Sequence, residues 1–201
     1  MESNLLEIIE TLELFTEQAN RLYNSKFVTW ARTVDKIQII MTADEKGAEV
    51  AVNWPEEDEI NAFLLPFRFL IQDNERCSWN NISKLYEELE ITPSYKESFL
   101  NSRKNLNEYL DSKIVEFALH GKHYTHREVL DTFVYGYYAH SNKEKRKLFD
   151  EWKKNLFGFK NLEFFFINTI VDISELTYRI SETVNKPVIN ELKSSLQQEI
   201  V

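Results

Sequence analysis

Four glycines and four prolines in 201 residues constrain this chain more than any single motif does. β-Sandwiches and doubly wound α/β folds turn tightly and often, and tight turns draw on glycine and proline for backbone angles that other residues resist. Helices joined by short connections need few of either. Fourteen Phe, nine Tyr and four Trp within a 43% hydrophobic composition supply material for a core. A domain of this size buries roughly 70% of the surface its unfolded chain exposes. The expectation is therefore a mainly α, single-domain helical bundle of seven or eight helices spanning 1–201, with a soft seam near 91–93.

Periodicity fills in the elements. Leu5, Ile8, Ile9, Leu12, Phe15, Ala19 and Leu22 recur at helical spacing, and Glu7, Glu10, Glu13 and Glu17 stay off that stripe. The period then changes. Ile37, Ile39 and Met41 alternate, as do Val50, Val52 and Trp54, with a turn-forming Ala-Asp-Glu-Lys-Gly between them. That pattern predicts one β-hairpin near the N-terminus, at about 34–54. Pro55 and the acids after it open a helix that Pro66 interrupts, and a short helix follows over 80–90. Thr92-Pro93, with Ser94 and Glu97 as a capping box, opens a longer one to about His120. Thr125 with Glu128 and Ser141 with Glu144 predict helices over roughly 126–139 and 142–155. A last long helix covers about 160–185, and Pro187 ends or restarts it.

Charge is unevenly spread over the net −9. Residues 1–63 hold five basic and thirteen acidic side chains, whereas 143–160 hold seven basic and three acidic. An acidic whole is a poor general binder of nucleic acid, because phosphate neutralisation dominates that affinity. No apolar run approaches the ~20 residues needed to cross a bilayer, and the N-terminus lacks the basic and apolar regions of a signal peptide. With Cys77 alone, no intramolecular disulfide forms. The expected location is the cytoplasm.

Three of the four histidines crowd into Leu-His-Gly-Lys-His-Tyr-Thr-His, and His140 follows. His120-Gly121 reads as the end of one helix and Thr125 as the cap of the next, so His120, His123 and His126 flank one connection. The plainer reading is a helix–loop–helix corner. The sharper one is a metal site of His120, His123 and His126, or a general base among His123, His126 and His140 assisted by Arg127 and Glu128. Their spacing fits no standard ligand pattern.

Specific enzyme signatures are missing. His126-Arg127-Glu128 fits half of a zinc-deaminase motif, but one cysteine cannot supply the other half. Glycines only at 47, 121, 136 and 158 exclude a P-loop and a Gly-x-Gly-x-x-Gly turn. No His-Glu-x-x-His or Gly-x-Ser-x-Gly occurs.

Two stretches suggest binding. Gly136, amid Tyr135, Tyr137, Tyr138 and His140, is costly in mid-helix, by about 0.5–1 kcal/mol against Ala. Close helix packing offsets that, or a partner pressed on bare backbone does. Lys143, Arg146 and Lys147 open a basic amphipathic helix suited to an anionic group or an acidic surface.

These features support a non-enzymatic, acidic, soluble protein-binding module with no cofactor: a regulator, inhibitor or immunity-type partner that covers a basic protein surface. The alternatives are a hydrolase or nuclease built on the histidines of 120–146, and a homodimeric structural protein.

Overall fold

The computed structural model describes residues 2–33, 56–71, 75–114, 118–119, 122–123, 132, 143–155 and 159–199. The described chain is mainly helical. Helix α1 spans Glu2–Tyr23, and α2 covers 26–33. Helices α3 (Glu57–Ile71), α4 (Trp79–Glu88) and α5 (Pro93–Ile114) follow. The two-residue strands β1 (Ala118–Leu119) and β2 (Lys122–His123) pair antiparallel. Next come α6 (Lys143–Asn155), α7 (Phe159–Ile180), a π-helical turn (Ser181–Asn185) and α8 (Lys186–Glu199). Among the described residues no helix is long and apolar enough to cross a membrane. The expected hairpin at 34–54 and, apart from the single helical residue Thr132, the expected helix at 126–139 lie outside the described residues.

The chain forms two compact units, one of Met1–Tyr23, Leu65–Glu108 and Ser174–Val201, the other of Asn24–Leu64 and Tyr109–Ile173. In the first, α1 lies against α4, the π turn and α8. Its stripe of Ile9, Leu12, Phe15, Ala19 and Leu22 is buried, as the spacing requires. At the centre Trp79 meets Phe15 edge-on at 5.5 Å and Phe99 at 5.2 Å, while Tyr86 stacks on Phe99 at 4.1 Å. The buried polar atoms among these rings are bonded, as a dry core demands. Trp79 Nε1 donates to Thr177 Oγ1 at 3.0 Å, and Tyr86 OH donates to Asn185 Oδ1 at 2.9 Å.

In the second unit Ser25 caps α2, its hydroxyl accepting from the Val28 N–H at 3.2 Å. Helix α2 then buries Phe27, which stacks on Phe63 at 4.3 Å. Ala31 joins Ile167 and Val171 in a buried cluster with Trp30 beside it. At the start of α3, Glu59 reaches back to the Glu56 N–H and accepts from Lys26 Nζ at 2.9 Å. Those two bonds hold the Glu59 carboxyl below the usual range, and the same partner raises Lys26.

Three local expectations are corrected. Helix α5 stops at Ile114 rather than near His120. Beyond it, Leu119 pairs with Lys122 and Ala118 with His123, so His120 and Gly121 fall between the two paired segments. This pairing takes Ala118 and Leu119 out of the helix expected to reach His120. The start of α5 differs as well. Thr92, not Ser94, accepts the first helical bonds, from the Tyr95 and Lys96 N–H groups. The carboxylate that serves this end is Glu191, which accepts from the Thr92 N–H at 2.9 Å, in place of Glu97. Finally, of the two outcomes expected at Pro187 the chain takes the restart, and the regular helix before it ends at Ile180 rather than 185, with the π turn joining α7 to α8. Pro187 has no N–H to offer the Thr183 carbonyl. The chain widens there, and the Lys186 N–H bonds the Ser181 carbonyl.

Cys77 is buried, and burial raises its thiol to about 11. The thiolate is the reactive species, so native protein at pH 8 is expected to resist a disulfide-exchange reagent that modifies the denatured chain within seconds. A titration of free thiol with and without denaturant checks this. The neutral thiol is favoured in the fold, so its stabilisation is complete below pH 9 and is lost as pH climbs towards 11.

Candidate functional site: an acidic corner between two helices

The residues singled out from sequence divide sharply. His120, His126, Arg127, Glu128, Tyr135, Gly136, Tyr138 and His140 lie outside the described residues. His123 occupies β2, opposite Ala118. Lys143, Arg146 and Lys147 are exposed in the first turns of α6, whose Phe149 is buried. Arg146 has a partner of its own. Among the described residues no group of three or more His, Cys, Asp or Glu side chains is placed to hold a metal ion.

The acids of α1 look on paper like a bare negative face. They are not bare. Arg76 sits with its guanidinium 3.8 Å from Glu7 and 3.9 Å from Glu10, and Nε donates to Thr11 Oγ1 at 2.6 Å. The same group donates to the Glu7 carbonyl at 2.8 Å. Lys193 of α8 pairs with Glu13, and Arg21 pairs with Glu17 one turn away. Exposed pairs of this kind contribute little stability, about 0–1 kcal/mol each. Their larger consequence is partial cancellation: three cations, Arg76, Lys193 and Arg21, sit beside the four acids of the stripe.

Uncompensated charge collects elsewhere in the same unit. Glu87, Glu88, Glu90 and Glu97 are exposed, and none has an ion-pair partner among the described residues. They occupy the corner where α4 ends and α5 begins. Three features hold that corner in shape. Leu89 closes α4 through its N–H to the Leu85 carbonyl. Lys96 Nζ donates to the Glu87 carbonyl at 2.6 Å and to the Leu89 carbonyl at 3.3 Å, a cation on the negative end of a helix dipole. Glu191 fixes the Thr92 N–H from α8. The Lys96 ammonium keeps its charge while bonded to backbone, so the corner holds one cation against four carboxylates that face outward from a braced loop.

The sequence placed these glutamates on helices but did not mark them as a surface. Their signal was weaker than the α1 stripe, because a local reading cannot see that Arg76 and Lys193 neutralise α1 from 60 or more positions away. The unit as a whole carries sixteen acidic and ten basic side chains, a net −6. Such a field attracts cationic surfaces and repels nucleic acid.

Comparison with protein-family models, with curated proteins and with solved structures finds no match to this chain.

Proposed function

We propose that this protein is a non-enzymatic binding module that docks a basic protein surface through the acidic corner of α4 and α5. One observation carries the reading: Glu87, Glu88, Glu90 and Glu97 remain uncompensated in a unit where the other prominent acidic stripe is internally paired. A rigid backbone under outward carboxylates loses little entropy on association, and a like-signed patch speeds encounter with a target of opposite sign. A regulator, inhibitor or immunity-type partner is built on such terms.

A lysine-rich helical peptide is the probe. Its affinity for the triple variant E87Q/E88Q/E90Q is expected to fall about tenfold, on the basis that each exposed charge pair is worth roughly 0.2–1 kcal/mol. The control variant E7Q/E10Q/E13Q removes as many charges from the compensated stripe and is expected to change affinity less than about twofold. Equal losses in the two variants would show that only net charge matters and would defeat the assignment. The association rate is also expected to drop steeply as ionic strength rises from about 0.01 M to 0.15 M, where the screening length shortens from about 30 Å to 8 Å.

A further inference from the structure

A second surface of the first unit has the opposite character. A groove of about 530 Å³ runs between the start of α5 and the junction of α7 with the π turn. Ser94, Ser98 and Ser102 line one wall at helical spacing, and Arg179 lies on the other.

Two things about these side chains are unusual within this molecule. Many hydroxyls inside its helices bond backward to the carbonyl four residues earlier, as Thr11, Thr16, Thr29, Ser83, Thr183 and Ser194 do, although Thr132 and Ser181 have no partner among the described residues. Ser98 and Ser102 do not, and Ser94 is released from capping because Thr92 and Glu191 take that role. The arginine is equally unspent. Arg21, Arg68, Arg76 and Arg103 of this unit each have a partner, whereas Arg179 has none for its guanidinium among the described residues. Its helix neighbours do not supply one: Glu182 pairs with Lys186, and Glu175 has its own contact. An unpaired guanidinium in a unit of net −6, facing three uncommitted hydroxyls across a groove, places one positive charge and several free O–H donors together with no anion between them.

We propose that this groove binds a small phosphate monoester, with Arg179 forked onto two phosphoryl oxygens and the serine hydroxyls donating to the remaining ones. A guanidinium matches a pair of oxyanion oxygens in geometry as well as charge. A carboxylate would be satisfied by the arginine alone and would leave the serine wall unused. The groove is larger than a bare phosphate and within the 300–1,000 Å³ range typical of small-molecule sites. Ile180 and Val184 provide the apolar floor on which the organic part rests. Repulsion from the unit's net charge is damped beyond about 8 Å at physiological salt. On the serine wall the acid to contend with is Glu97, one helical turn from Ser94 and adjacent to Ser98 on α5.

The site stands apart from the acidic corner's proposed role and is tested separately, by amide NMR titration of the full chain with phenyl phosphate at fixed ionic strength. Saturable shifts are expected at Ser94, Ser98, Ser102 and Thr183, with inorganic phosphate binding more weakly because it forgoes Ile180 and Val184. Arg179→Ala is expected to weaken phenyl phosphate at least tenfold, and Ser98→Leu, which fills the groove, to abolish its binding. Glu97→Gln is expected to tighten it severalfold. Arg179 and Ser98 are both exposed, so these variants keep the fold, and an unchanged far-UV spectrum confirms that. Binding unaffected by Arg179→Ala, shifts that map elsewhere, or no saturable binding would each overturn the proposal.

Discussion

Replacing Asn185 with leucine is expected to cost about 3 kcal/mol, although the new side chain is apolar and of nearly the same size. The π turn delivers this amide into the middle of the first unit, where it is fully buried. Its Oδ1 accepts from Tyr86 OH, and its Nδ2 donates to the Leu12 carbonyl at 2.7 Å and to Thr16 Oγ1 at 2.8 Å. Leucine abolishes all three bonds. The backbone carbonyl and Thr16 keep a bond to each other at 3.1 Å, so the main casualty is the Tyr86 hydroxyl. A buried donor left without an acceptor costs about 1–3 kcal/mol, beyond the bonds themselves.

Tyr86→Phe alone is expected to cost less, about 1–2 kcal/mol, because the amide keeps two of its three partners. The double variant N185L/Y86F removes both ends of the broken bond. It is expected to be more stable than the sum of the single changes by at least about 1 kcal/mol, a coupling that a double-mutant cycle in urea reads directly. Additive losses would show that the hydrogen bond contributes nothing specific. Burial also pushes the Tyr86 phenol well above its ordinary range. The neutral form is the one the fold holds, so this stabilisation is present below about pH 10 and falls as pH rises past it. Tyr86→Phe is expected to flatten that alkaline slope.

The Asn185 network also shows where sequence reading stops. Helix α1 was legible because it repeats apolar residues at 3.6 spacing over several turns, and such a stripe has one way to be buried, while α6 was legible from the Ser141 and Glu144 pattern at its start. Helix α2 was passed over. Its signals were Ser25 as a cap and Phe27, Val28 and Ala31 on one face, but eight residues give a periodic pattern little room. Pro187 announced a break, yet nothing local said that the break would be a π turn or that it would turn Asn185 inward. The cap of α5 was assigned to Glu97 because the capping box is a local pattern. The residue that serves is Glu191, 99 positions away, and only tertiary packing decides between them. The same holds for charge. The acidity of α1 was plain in the sequence, while its cancellation by Arg76 and Lys193 was not. The acidic corner and the arginine groove are what remains after those long-range pairings are subtracted, and a linear reading has no means of subtracting them.

Trp79→Ala is expected to be the most damaging single change in the first unit, at about 3–5 kcal/mol. Trp79 is the second residue after Glu75–Arg76–Cys77 reverses the chain, and Ser78 fixes the start of α4 by accepting from the Asn81 N–H at 3.2 Å. That cap points the indole into the core, where three other elements meet on it. Phe15 comes from α1, Phe99 from α5 and the Thr177 hydroxyl from α7. Each aromatic pair contributes about 0.5–1.5 kcal/mol beyond the area it buries, and truncation to alanine forfeits both while leaving a void that rigid neighbouring rings cannot collapse to fill. Phenylalanine separates the contributions. It keeps a ring against Phe15 and Phe99 but has no N–H, so Trp79→Phe is expected to cost about 1–2 kcal/mol. Thr177→Val tests the other end: it keeps the shape, strands the indole N–H, and is expected to cost about 1–3 kcal/mol. Urea unfolding of the three variants orders them Ala, then Val or Phe, then wild type. A Thr177→Val protein as stable as wild type would mean that the indole nitrogen finds another acceptor, and that packing alone makes this residue the keystone of α4.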